Sequence, residues 1–289
     1  MTVKAIYKRE LNAYFTGMTG YLFIAFLLVV VGIYVMMLNF AQNYASFEYV
    51  ISNISFVFMI ITPILTMRAF AEERAQKTDQ LLYSLPLSIT EVVLGKYFAM
   101  LTVFLIPTFI MSFYPFILSF YGTVSIKSAF AAILGFFFMG ASLLALGMFM
   151  SSLTENQIVS AVLCFGVVLG SYVLTMAASS LSGSSLASFR AFTVMIVLIG
   201  LVIWFLTKSF IVAGAFIAVL EIPLVVVYYT NMILLAGAFQ KFISNISIFS
   251  RMSNFTGGML DISALVFYTS VACLFVFFTV QSLEKRRWS

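Results

Sequence analysis

Between Arg68 and Lys96 the chain reads RAFAEERAQKTDQLLYSLPLSITEVVLGK, and this stretch decides how the rest is read. It holds four of the fifteen basic residues (Arg68, Arg74, Lys77, Lys96) and four of the ten acidic ones (Glu72, Glu73, Asp79, Glu91) of a chain that is only 9% charged. An apolar run ends at Met67 and another begins at Tyr97. The simplest account is an aqueous loop tethered at both ends to a membrane.

Inside the loop the grammar is helix, turn, helix. From Glu72 to Leu82 there is no Gly or Pro, and Glu73 stands four residues before Lys77, the favourable order for a helical ion pair. Ser84-Leu85-Pro86 breaks that helix, because the residue before a proline is pushed out of the α region and the proline donates no hydrogen bond. Ser88-Ile89-Thr90-Glu91 matches a capping box, so a new helix starts at about Ile89. Leu81, Leu82, Leu85, Leu87, Ile89 and Val92 surround the bend and make an apolar knuckle on a polar loop. Such a knuckle either rests on the membrane surface or receives a protein partner.

Composition agrees with a membrane setting. Hydrophobic residues make up 63% of the chain and the mean hydropathy is +1.13, whereas a soluble domain carries roughly 25% charged residues. With 289 residues, a single transmembrane domain over 1–289 is expected. The net charge of +5 comes from residues scattered between apolar runs, which excludes a nucleic-acid-binding patch. Cys164 and Cys273 lie in apolar runs, with no spacing that suggests a disulfide or a metal site. Histidine is absent, removing the commonest general base and metal ligand, and Glu72 and Glu73, being adjacent, point to different sides of a helix. No catalytic site is expected.

Residues 1–18 place Val3, Ile6, Tyr7, Leu11, Tyr14 and Phe15 at helical spacing among Lys4, Lys8, Arg9 and Glu10, the pattern of an amphipathic helix on a membrane surface. A cleaved signal peptide is not expected, since the apolar run from Tyr21 to Ala41 exceeds a signal core of about 7 to 15 residues. Segments able to span, roughly 17 to 25 residues long, follow at Tyr21 to Phe40, Val50 to Met67, Tyr97 to Tyr121, Ser128 to Met150 and Ile158 to Ala178. From Ala191 to Phe239 the chain is apolar except for Lys208 and Glu221. One span through Lys208 would bury a lysine at a cost of roughly 3 kcal/mol. A break there yields spans Ala191 to Thr207 and Ser209 to Ala236, with the last at Ile262 to Ser282. A six-span count, with Ala191 to Phe239 re-entrant, is the alternative. Residues 242–261 read as an outer-face amphipathic or re-entrant segment.

Eight spans put Lys4, Lys8, Arg9, Arg68, Arg74, Lys77, Lys96, Lys208, Lys285, Arg286 and Arg287 on one side and Lys127, Arg190, Lys241 and Arg251 on the other. Eleven against four places both termini and the Arg68 loop in the cytoplasm. Glu221, an ionisable group inside a span beside Pro223, is an intramembrane functional candidate; the alternative is a packing hydrogen bond or a position near an interface.

The loop residues Glu72-Glu73 through Thr78, Leu81-Leu82, Ser84 to Leu87, Glu91 and Gly95-Lys96 resemble the signature between the second and third spans of ABC type-2 exporter permeases. Ser151-Ser152-Leu153-Thr154 with Asn156-Gln157 resembles the link after the fourth span of that family. Phe249 to Arg251, Phe255, Gly257, Leu260-Asp261 and Ser282 to Trp288 resemble its gliding-motility-associated subgroup. The family's common plan has six spans; two more are counted here, as a pair before the last.

The resemblance implies an all-α integral membrane protein: a type-2 ABC exporter-like helical bundle of about eight transmembrane helices with an N-terminal amphipathic interface helix. It further implies a permease subunit of an ATP-binding-cassette exporter in a bacterial plasma membrane, not itself an enzyme, paired with a second permease copy or a related permease. A coupling helix, with Glu72, Glu73, Leu81, Leu82, Leu85, Pro86, Ile89 and Glu91 as its contact residues, would seat in a separate ATPase subunit. ATP and Mg would bind to that partner, consistent with the absence of a Gly-x-x-x-x-Gly-Lys-Ser/Thr phosphate loop from this chain. The alternative is a non-transporting membrane anchor or sensor that uses the knuckle to recruit a cytoplasmic partner.

Overall fold

An uncharged backbone in hydrocarbon must satisfy every N–H and C=O internally, so apolar runs of this length become helices. The computed structural model describes residues 2–42, 44–77 and 88–287. In chain order its α-helices are α1 (Thr2–Thr16), α2 (Thr19–Tyr34), α3 (Phe47–Thr66), α4 (Ala71–Ala75), α5 (Ile89–Met111), α6 (Tyr114–Leu118) and α7 (Ile126–Leu153). They continue with α8 (Gln157–Ser180), α9 (Ser185–Thr207), α10 (Phe210–Thr230), α11 (Ala238–Ile246), α12 (Met252–Thr256) and α13 (Ile262–Arg287). A π-helical turn, Val35–Phe40, extends α2, and a 3-10 turn, Met232–Leu235, follows α10.

Among the described residues, eight helical segments are long and apolar enough to cross a membrane, each overlapping a span expected from the sequence. The protein is an all-helical, multi-pass integral membrane protein. The break at Lys208 is a backbone event. Lys208 closes α9 in the left-handed region (φ 52°), its N–H reaching the Trp204 carbonyl at 2.7 Å, and Ser209 then caps α10. Ending the helix there keeps the ammonium out of the middle of a span.

The chain divides into two compact units, one formed by Met1–Gly170 with Arg251–Ser289 and the other by Ser171–Ser250. In the first, α13 and α3 pack along α7, and α1 lies on α5. Its centre is aromatic: Phe23, Phe58, Phe104 and Phe136 are all buried, with ring centroids 4.8 to 6.5 Å apart. Helices in lipid gain little hydrophobic drive from meeting one another, so ring-on-ring van der Waals packing has to hold this contact. In the second unit α9 packs against α10 and α11, with Ala178, Phe239 and Ile243 buried together and Phe192 and Met195 against them. The expected segment 242–261 falls partly in each unit, as the end of α11 and as α12 with the turn before α13.

One local expectation changes. The described part of the helix read from Glu72 to Leu82 ends at Ala75, with Lys77 at a left-handed φ of 57°; residues 78–82 lie outside the described residues. That conformation cannot continue an α-helix, and it costs a non-glycine residue roughly 1–2 kcal/mol. The turn that would have carried Glu73 over Lys77 is therefore not made. The amphipathic pattern read in residues 1–18 forms α1. Its stripe of Val3, Ile6, Tyr7, Leu11, Tyr14 and Phe15 is buried or half-buried, and α1 packs against α5 and α2. Gly95 permits the approach: a Cβ there would lie 2.7 Å from Ile6 Cγ2.

Candidate functional site

The site begins where α3 ends. Met67 to Phe70 is not α-helical, yet Ala69, Phe70 and Ala71 are buried, so their backbone groups need partners inside the protein. One hydroxyl on α7 supplies several. Ser151 Oγ accepts from the amides of Phe70 and Ala71, each at 3.1 Å, and donates to the Met67 carbonyl at 3.1 Å. One turn on, the buried Arg74 guanidinium donates to the Ser152 carbonyl, an acceptor that the end of α7 leaves without a helical partner. The link residues Ser151 and Ser152 thus hold the base of the charged loop. On the far side of the link, Arg286 of α13 donates to the Leu153 carbonyl at 2.9 Å and lies 3.7 Å from Glu155. Three segments that looked separate in the sequence meet at one end of the first unit.

Beside this base lies a closed ring of four charges drawn from three helices. Lys96 of α5, with its side chain only 3% exposed, lies 2.9 Å from Glu73 of α4 and 3.3 Å from Glu10 of α1. Arg9 completes the ring, at 2.6 Å to Glu10 and 3.2 Å to Glu73. The Lys96 ammonium also lies over the Phe70 ring, 5.1 Å from its centroid. A cavity of about 390 Å³ opens beside the ring, with Tyr14, Arg68 and Glu72 on its wall. Burial alone would push the Glu10 carboxyl up; Lys96 and Arg9 reverse this and hold it below the usual glutamate range. Burial pushes the Tyr14 phenol up.

A depressed carboxyl has a definite pH consequence. The stabilisation from ionised Glu10 is complete above the ordinary glutamate value, about 4.3, and is lost as pH falls through the lower folded value. We expect wild type to unfold at a higher temperature than Glu10→Gln near neutral pH, with the gap closing below about pH 4. Thermal unfolding of both in detergent across that range checks the prediction, and a gap independent of pH contradicts it.

The residues expected from the sequence have varied placements. Glu72 pairs with Arg68 at 3.5 Å and Glu73 joins the ring. Ile89 is buried, and Glu91 forms the expected capping box with Ser88, the two reciprocal bonds both at 3.3 Å. Leu81, Leu82, Leu85 and Pro86 lie outside the described residues. Glu221 is in the second unit, on α10; its Oε1 accepts from Thr193 of α9 at 2.7 Å, while Oε2 is buried with no partner among the described residues.

Sequence reading did not single out Glu10, Arg74, Lys96 or Ser151 as site residues. Glu10 left a signal: it stands three residues after Tyr7 and four before Tyr14, an acid on the apolar stripe of α1. A charge at such a position needs a buried counter-charge.

A family model described as ABC-2 family transporter protein matches residues 31–192, more than half of the chain. The matched stretch contains the loop base, Lys96 and the Ser151-Ser152 link, and it ends within α9. No curated protein and no solved structure matches the chain. With eight candidate spans, and with the loop base and the link after the fourth span joined inside the matched stretch, this chain belongs to the ABC-2 transporter family, as a membrane-spanning permease component of an ABC transporter.

Proposed function

We propose that this permease is an exporter subunit driven by a separate ATP-binding-cassette ATPase, of the gliding-motility-associated subgroup, with ATP and Mg held on that partner. The observation that carries the reading is the clamped base of the loop. The described flanks of the loop, α4 before it and α5 after it, are tied: Glu73 and Lys96 to α1 through the ring, Phe70, Ala71 and Arg74 to α7 through Ser151 and Ser152. A push on the knuckle at Leu81, Leu82, Leu85 and Pro86 is therefore delivered to three helices together. In this scheme Ile89 and Glu91 begin the return helix, α1 is the lever on the inner surface, and two permease copies enclose the path. Glu221, halfway along α10 with one carboxylate oxygen lacking a partner among the described residues, is the polar group of the path within the second unit. The eleven-to-four distribution of Lys and Arg supports both termini in the cytoplasm of a bacterial plasma membrane.

The test is co-purification of this chain with the ATPase encoded beside it, followed by an ATP hydrolysis assay. The complex should be active. Leu85→Ala combined with Glu91→Ala should abolish permease-dependent hydrolysis with membrane insertion intact, while Glu91→Gln alone, which keeps the capping box, should retain most of it. Full activity of the double variant sinks the coupling role. A chain that purifies stably with no ATPase supports an anchor or sensor instead.

A further inference from the structure

At the opposite end of the first unit from the charge ring is a cavity of about 520 Å³. Its walls come from the π-helical turn that ends the first span, the start of α3, and the connection from α6 to α7. Single π-helical turns interrupt α-helices at a cost in hydrogen-bond geometry and cluster at functional positions. This one carries Asn39.

Glu48 is the one charged residue on the wall; the other polar groups are hydroxyls and the Asn39 amide. Glu48, 8% exposed, receives a hydrogen bond at Oε2 from Ser46 Oγ at 2.8 Å. A carboxylate in the first turn of a helix is ordinarily accounted for by the helix dipole at an exposed position. Glu48 differs in being buried on the wall of a cavity that has no lysine or arginine among its lining residues. Asn39, 4% exposed, gives its amide hydrogens to the carbonyls of Tyr44 at 2.7 Å and Ser46 at 3.0 Å. Those two bonds use its donors and leave Oδ1 buried without a donor among the described residues. A buried polar oxygen without a donor is costly. Aromatic faces complete the wall: Tyr44, Tyr121 and Phe40, the last two edge to face at 5.2 Å.

We infer that this cavity binds an organic ammonium group that carries N–H hydrogens. Glu48 supplies the counter-charge and accepts the N–H, and the Tyr44 and Tyr121 rings supply cation–π contact. A metal ion is not favoured: the wall has one carboxylate, and no group of three or more His, Cys, Asp or Glu that could hold a metal ion occurs among the described residues. The cavity adjoins the ends of spans, so the ammonium can belong to a free amine or to an aminophospholipid head group.

The test uses the full chain in detergent and in nanodiscs. Calorimetry with free ethanolamine and choline covers the soluble source; native mass spectrometry of lipid retained from phosphatidylethanolamine or phosphatidylcholine nanodiscs covers the lipid source. Saturable binding is expected for ethanolamine or for phosphatidylethanolamine, and the arm that binds identifies the source. The quaternary analogue should bind about tenfold more weakly, and Glu48→Gln should weaken the primary ammonium by a similar factor. Tyr121 is 72% exposed, so Tyr121→Leu gives up only its edge contact with Phe40 and carries the test if Glu48→Gln does not fold; it should weaken binding several-fold. The proposal is overturned by no saturable binding of either amine, by equal binding of choline or glucose, or by undiminished affinity in the variants.

Discussion

Replacing Lys96 by methionine should lower the stability of the first unit by about 3 kcal/mol, the low end of what removing one partner of a buried ion pair costs. The ammonium is nearly inaccessible and serves two carboxylates, Glu10 and Glu73. Methionine fills much of the same volume, so the loss isolates charge from packing. Arg9 still bridges the two acids, but its side chain is 54% exposed and pairs in a wetter setting, which keeps the effect from being larger. Glu10→Gln and Glu73→Gln added to Lys96→Met should recover more than half of the loss, because an uncharged cluster no longer needs its cation. Unfolding in detergent, followed by temperature, reads both variants. A Lys96→Met protein as stable as wild type would falsify the ring.

The second large effect is steric. Gly147 of α7 faces Thr66, the last residue of α3, and a Cβ at 147 would lie 2.8 Å from both Thr66 Cβ and Cγ2. Thr66 is fully buried and its hydroxyl is bonded to the Thr62 carbonyl at 3.0 Å, so it cannot swing aside cheaply. Gly147→Ala is expected to cost about 3 kcal/mol, the upper part of the overpacking range. It should also uncouple the loop, since Ser151 lies one turn further along α7 and would be drawn away from Met67, Phe70 and Ala71. Thr66→Gly in the same chain should restore most of the stability, less about 1 kcal/mol for a helical glycine. Size-exclusion profiles and unfolding temperatures of the two variants decide the matter: an unperturbed Gly147→Ala rules out the close approach of α3 and α7.

The spans were legible because their cause is one-dimensional. A run such as Tyr21 to Phe40 has one way to satisfy its backbone in lipid, and Lys208 splits the next-to-last region because a lysine in mid-span is costly. The Ser88–Glu91 capping box is local in the same sense, with both bonds made three residues apart. The amphipathic stripe of α1 was visible, but not what it would pack on.

The ring and the stitch were decided by tertiary structure. Glu10 and Lys96 are 86 residues apart and Phe70 and Ser151 are 81, and no periodicity within one segment relates either pair. Glu73 had a neighbour of opposite charge at Lys77, which the sequence favours; packing of α1 and α5 brought Arg9 and Lys96 within 3.2 and 2.9 Å of it, and the left-handed Lys77 ended the turn. The amino-acid sequence alone determined that this is a multi-span membrane chain and where its charged loop lies, because hydrophobic length and charge act locally. Which charges meet at the base of that loop, and which hydroxyl closes its backbone, followed only from helices brought together in space, where a buried ion must find its partner on another element.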